Sequence, residues 1–131
     1  MNGVAAAGGV IRVLIADDDE DFRVALETLI ERQPELTVVG AAGDGLRAID
    51  LAEELAPDAA VLDLHMPLLD GVSAVARLRR DYPSLCLIAL TGDEDPELHE
   101  AVLEAGADAA LLKREFVDAL VERLAAVRAS A

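Results

Sequence analysis

Aromatic residues are almost missing from these 131 residues: only Phe22, Tyr82 and Phe116 occur. Stacking platforms for nucleic-acid bases are thereby excluded, and aliphatic side chains must fill the core. Basic residues are also few, with 11 Lys+Arg against 26 Asp+Glu and a net charge of −15. Such a surface repels phosphate backbones, so direct nucleic-acid binding by this chain is not expected. It suits a cation, or a partner with basic patches. The single cysteine, Cys86, has no partner for an internal disulfide and reads as a small buried hydrophobe in the run Leu85–Leu90. No apolar stretch approaches the roughly 18 residues of a membrane helix. Met1 to Gly9 has neither the basic nor the long apolar region of a signal peptide. The expectation is a soluble, cytoplasmic protein with no membrane contact, in which residues 1–9 form a flexible lead-in and 10–129 one domain.

Hydrophobic residues make up 53% of the chain and fall into an alternating pattern. Short apolar runs at Val10–Ala16, Leu36–Ala41, Ala59–Leu62, Leu85–Leu90 and Ala109–Leu112 have the length of buried strands. Between them lie stripes of helical spacing. Phe22, Ala25, Leu26, Leu29 and Ile30 precede the stop at Pro34; Leu46, Ile49 and Leu55 precede Pro57; Val72, Val75 and Leu78 precede Pro83. Pro96 suits the first turn of a fourth helix, which Gly106 ends, and Phe116, Leu120, Leu124 and Val127 mark a fifth. Five such pairs predict an α/β fold, a doubly wound parallel sheet with helices on both faces.

In that architecture, functional groups gather where the strands end. The first strand is followed by Asp17-Asp18-Asp19-Glu20-Asp21, the third by Asp63-Leu64-His65-Met66-Pro67, the fourth by Thr91-Gly92-Asp93 and the fifth by Lys113. At least three carboxylates, a hydroxyl and an ammonium should converge on one edge. Crowded carboxylates repel one another, and a hard divalent cation such as Mg²⁺ removes the conflict while keeping positions for phosphate oxygens. A carboxylate on the third strand can then act as nucleophile toward phosphorus. Lys113 is the only lysine, in a chain whose other ten basic residues are arginines. A compact ammonium suits a point-charge contact to phosphate.

These motifs resemble the receiver domain of bacterial two-component response regulators from Ile11 to about Val127. The matching pieces are "VLIADDDEDFR", "VLDLHMPLLDG", "IALTG" and "ALLK". The stretch from Glu35 to Gly71 resembles the subgroup joined to LuxR-type output domains. The resemblance implies a five-stranded flavodoxin-like sheet of order 2-1-3-4-5. It implies that Asp63 accepts a phosphoryl group from a sensor histidine kinase. Asp18 would bind Mg²⁺ directly, Asp17 mainly through water, and the backbone carbonyl of His65 would complete the protein ligands, with Asp63. Thr91 would move toward the acyl phosphate, and Lys113 would pair with Asp63 before phosphorylation and with the phosphoryl group afterwards. Asp19 would not be a ligand. Such a module is no enzyme beyond its own phosphoryl transfer and dephosphorylation, and its output, here transcription, belongs to another domain. Self-association into a homodimer through the fourth helix, fifth strand and fifth helix is a further expectation of the resemblance.

Two positions depart from the family pattern. Arg114 replaces the common proline after the lysine. A cis bond before a non-proline residue costs about 3–4 kcal/mol, against about 0.5–1 before proline, so a trans Lys113–Arg114 bond is expected. Ala110 stands where a switching Tyr or Phe is common. His65 and Asp93 border the site, and His99 reads as a surface residue. Two rival readings stay open. One is a pseudo-receiver that binds partners without phosphorylation. The other is a phosphatase of the haloacid dehalogenase type, with Asp17 and Asp19 as its acidic pair and Asp17 as nucleophile. A calcium loop fails, because Phe22 and Thr28 stand where glycine and glutamate are required.

Overall fold

A computed structural model describes residues 9–92 and 94–115. The fifth helical stripe, Asp93 and most of the lead-in lie outside the described residues. Five strands, β1 (Ile11–Ala16), β2 (Leu36–Ala42), β3 (Ala59–Asp63), β4 (Cys86–Thr91) and β5 (Ala109–Leu112), form one sheet. All pairings are parallel and the order is β2-β1-β3-β4-β5, as the sequence reading expects. The helices are α1 (Glu20–Glu31), α2 (Gly45–Leu55), α3 (Gly71–Asp81) and α4 (Pro96–Ala105), followed by a 3₁₀ turn at Lys113–Glu115.

Alternate residues of β1 explain why the run is apolar but for Arg12, whose guanidinium donates to the Ala56 carbonyl. Leu14 and Ala16 enter one core with Ala48, Ala52, Ala74, Val75, Leu78 and Val102 of α2, α3 and α4. Val13 and Ile15 enter another with Leu26 and Ile30 of α1. A strand buried on both faces has no polar side to show.

Each helix begins at an aspartate whose side chain accepts a backbone N–H of the first turn: Asp19 from Phe22, Asp44 from Arg47, Asp70 from Ser73 and Asp95 from Glu97. That use accounts for part of the acidic excess, since each cap satisfies an orphan donor and favours the positive helix end. Gly106 ends α4 at φ 122°, a conformation open to glycine, and the Arg79 side chain packs where a Cβ would stand.

The strand ends differ slightly from the expectation. Asp63 and Thr91 are the last ladder residues of β3 and β4, in register with Leu90 and Leu112. An apolar run stops at the first polar side chain, but the backbone ladder continues one residue further. Cys86 is half-buried rather than buried, because it opens β4 at the end of the ladder. His99 is half-buried on α4 rather than a freely exposed residue. No cis peptide occurs among the described residues, so the Lys113–Arg114 bond is trans as expected.

Candidate functional site

β1 ends at Ala16 and delivers Asp17, whose backbone N–H donates to the Ala42 carbonyl at 3.0 Å. Arg23 of α1 donates to the Asp17 carbonyl at 2.7 Å. The residue is thus pinned by its own main chain, and its side chain is only 1% exposed. Asp17 Oδ1 accepts the Asp19 N–H at 2.9 Å. Asp17 Oδ2, also buried, meets Lys113 Nζ at 2.8 Å as an ion pair.

β3 delivers Asp63 beside it, likewise buried. Its Oδ1 accepts the His65 N–H at 3.3 Å, and its Oδ2 lies 3.6 Å from Lys113 Nζ. Gly71 makes this placement possible. A Cβ there would stand 2.5 Å from both the Asp63 carbonyl oxygen and the Leu64 Cα. The amide of Gly71 donates to the Leu64 carbonyl at 3.1 Å, closing the loop that carries His65. Leu68 in that loop has φ 69° and is 75% exposed.

Asp18 is exposed on the rim. Carboxylate oxygens of Asp17, Asp18 and Asp63 lie within 4.8 Å of one another. Asp19 is outside this group, its carboxylate occupied in capping α1. Thr91 is fully buried at the end of β4. Lys113 follows β5, and its ammonium also lies 4.5 Å from the centre of the Phe22 ring. Next to it, Arg114 forms an ion pair with Glu94, joining the turn after β5 to the segment after β4. Ala110 is half-buried against the core and presents no ring.

The electrostatics follow from this crowding. Burial first, and then the charge of Asp17, push the Asp63 carboxyl up to about 6, with a smaller push from Asp18. Lys113 and the His65 N–H oppose the rise. For Lys113, burial disfavours the ammonium, but the hydrogen-bonding and charge of Asp17 and Asp63 outweigh it and hold the group above its ordinary value. One cation therefore faces three carboxylates. The clustered carboxylates of Asp17, Asp18 and Asp63, an all-oxygen donor set, fit a hard divalent ion such as Mg²⁺.

The structure brings together Asp17, Asp18, Asp63 and Lys113, which the sequence reading placed at one edge, and puts Thr91 at the neighbouring strand end. Lys113 pairs with Asp63 as expected and approaches Asp17 more closely still. Sequence reasoning missed the roles of Phe22, Arg23 and Gly71, for which helical spacing or a single glycine gives little signal.

A protein-family model described as the response regulator receiver domain matches residues 13–125. The transcriptional regulatory protein LiaR of Bacillus subtilis is 39% identical over 115 residues, covering 85% of this chain and 54% of that protein. The transcriptional regulatory protein DegU of Brevibacillus brevis is 34% identical over 117 residues, covering 89% and 50%. The chain thus spans about half the length of these curated relatives. A LuxR-family DNA-binding response regulator of Staphylococcus aureus has a similar solved structure, with TM-score 0.85 and 28% identity over 91% of this chain and 99% of that one. The strand order, the acidic cluster at the carboxyl edge and these likenesses agree. The chain belongs to the response regulator receiver domain family of two-component signalling.

Proposed function

We propose that Asp63 is the phosphoryl acceptor of this receiver, served by Lys113 and Thr91, with a sensor histidine kinase as the donor. The observation that carries the reading is the convergence of Asp63, Asp17 and Lys113 at the carboxyl edge of the sheet. In the transfer, an Asp63 oxygen forms a bond to phosphorus while the phosphorus–nitrogen bond of a phosphohistidine breaks. Little else is asked of the protein than positioning and charge neutralisation. The His65 N–H fixes Oδ1, which leaves Oδ2 on the side of Lys113. Lys113 neutralises one phosphoryl oxygen, and the Thr91 hydroxyl donates to another.

Asp17, Asp18, Asp63 and the His65 carbonyl are the groups that would hold Mg²⁺, which would neutralise charge on the phosphoryl oxygens. Asp63 is drawn into this cluster and Asp19 is not, which favours the receiver over the phosphatase reading built on Asp17 and Asp19. With Ala110 at the usual switch position, the response to phosphorylation runs through Thr91 and the Glu94–Arg114 ion pair. We take the receiver unit as residues 10–129, with cytoplasmic location. The names of the relatives extend the reading to transcription, with homodimer formation as part of the response.

Incubation with acetyl phosphate and Mg²⁺, followed by intact-mass measurement, tests the assignment. A gain of one phosphoryl group that needs Mg²⁺ and disappears in Asp63→Asn is expected. No gain, together with no binding of beryllofluoride, would leave a pseudo-receiver. Turnover of donor that survives Asp63→Asn but not Asp17→Asn would point to the phosphatase.

A further inference from the structure

Four contacts close a ring around the acidic site. Asp17 Oδ1 accepts the N–H of Asp19 at 2.9 Å, and Asp19 Oδ1 accepts the N–H of Phe22 at 3.2 Å. The Phe22 ring faces Lys113 Nζ at 4.5 Å, and Lys113 Nζ returns to Asp17 Oδ2 at 2.8 Å. From this circuit we infer that Phe22 is a positioning residue, whose ring holds the Lys113 ammonium over the acidic cluster. The inference rests on the proposed phosphoryl chemistry for its consequence, though not for its geometry.

The physical argument starts from the ammonium. Its three N–H bonds meet carboxylates on the side of Asp17 and Asp63, and the face of an aromatic ring attracts the charge on another side. The Lys113 side chain is only 23% exposed, so little water competes with the ring. A ring face also accepts a cation without a fixed donor direction. The ammonium can therefore turn from Asp17 toward a phosphoryl oxygen without losing its support. A salt-bridge partner could not give this freedom, because each carboxylate fixes a direction and adds negative charge where a phosphoryl group must enter. The backbone of Phe22 is held by the Asp19 cap, so the ring approaches from an anchored first turn of α1. Phe22 also packs against the core that contains Leu26 and Ile30. A purely packing role is the alternative that the test must separate.

Lys113 is the sole lysine, so lysine-selective ¹³C and ¹⁵N labelling of the full chain gives one set of side-chain signals. In the metal-free protein, the Hε protons of Lys113 should be shifted upfield by the ring of Phe22. Phe22→Leu, which keeps apolar packing, should remove the shift, and Phe22→Tyr should preserve it. Phosphoryl uptake from acetyl phosphate with Mg²⁺ should slow about threefold to tenfold in Phe22→Leu and return to within about twofold in Phe22→Tyr. A Lys113 signal unchanged in a folded Phe22→Leu protein would overturn the inference. So would a lost shift with wild-type uptake, or equal slowing in both variants, which packing alone would explain. Were the wild-type protein to take up no phosphoryl group, the proposed function would fall. The lysine signal would still decide whether Phe22 holds the ammonium.

Discussion

Lys113 reaches Asp17 at 2.8 Å and stays 3.6 Å from Asp63, so the ammonium of this receiver rests mainly on the first acidic strand end. The Asp63 carboxylate is thereby left only partly compensated. Its neighbours on the other side are Asp17 and Asp18, which carry the same charge. The site is held together against its own repulsion by the rest of the fold.

Burial first, and then the charge of Asp17, leave a thermodynamic signature at Asp63. Its carboxyl titrates near 6 in the folded chain, above the ordinary 3.8, so the native state carries a cost whenever the group is ionised. The cost is absent below about 4, grows between about 4 and 6, and is complete above it. In metal-free buffer, Asp63→Asn should therefore stabilise the protein at pH 7 by about 1–3 kcal/mol. The advantage should shrink toward zero by about pH 4. Denaturant titrations of both proteins across that range check the sign and the window.

Adding Mg²⁺ should raise the melting temperature, because an ion held by the native cluster would have no equivalent site in the unfolded chain. At a hundredfold excess over Kd the gain is about 2.7 kcal/mol. Asp18→Asn should lose most of it, although Asp18 is exposed and its replacement should cost little stability in EDTA. Differential scanning fluorimetry with and without Mg²⁺ measures both effects.

Two glycines two residues apart should behave oppositely. A Cβ on Gly45 would collide with the Leu69 carbonyl, whereas one on Gly43 would meet only the end of Arg23 at 3.5 Å. Gly45→Ala should cost about 1–3 kcal/mol and disturb the loop carrying His65. Gly43→Ala should be close to neutral. Chemical denaturation of the pair decides this.

Arg79 offers a control remote from the chemistry. Its guanidinium donates to the carbonyls of Gly106, Pro83 and Leu85 and to the Asp108 carboxylate, each at 2.8 Å. Asp108 in turn accepts the Leu87 N–H. Arg79→Ala should destabilise the domain by about 2–3 kcal/mol, and Arg79→Lys should rescue little, since one ammonium cannot span four acceptors. Phosphoryl uptake by the folded fraction should be unchanged.

The legible part of the fold was the part written in short-range pattern. β1, β3 and β4 are buried on both faces, so their runs are apolar but for Arg12 near the start of β1, and their polar ends stand out. Asp17, Asp63, Thr91 and Lys113 could be placed at one edge for that reason. Contacts that depend on side-chain direction across distant elements were not legible. The Phe22 ring over Lys113, the preference of Lys113 for Asp17 and the Arg79 clamp each join residues far apart in the chain. The Asp19 carboxylate illustrates the same limit. The family resemblance keeps it out of the ligand set, but only the turn into α1 shows that its carboxylate caps the helix.

Asp63, and not a neighbouring carboxylate, is expected to receive the phosphoryl group. Borohydride reduces an acyl phosphate to an alcohol, converting the modified aspartate to homoserine, which peptide mass spectrometry can locate. After treatment with acetyl phosphate and Mg²⁺, homoserine at position 63 is the predicted result. Homoserine at position 17 or 18 would contradict it.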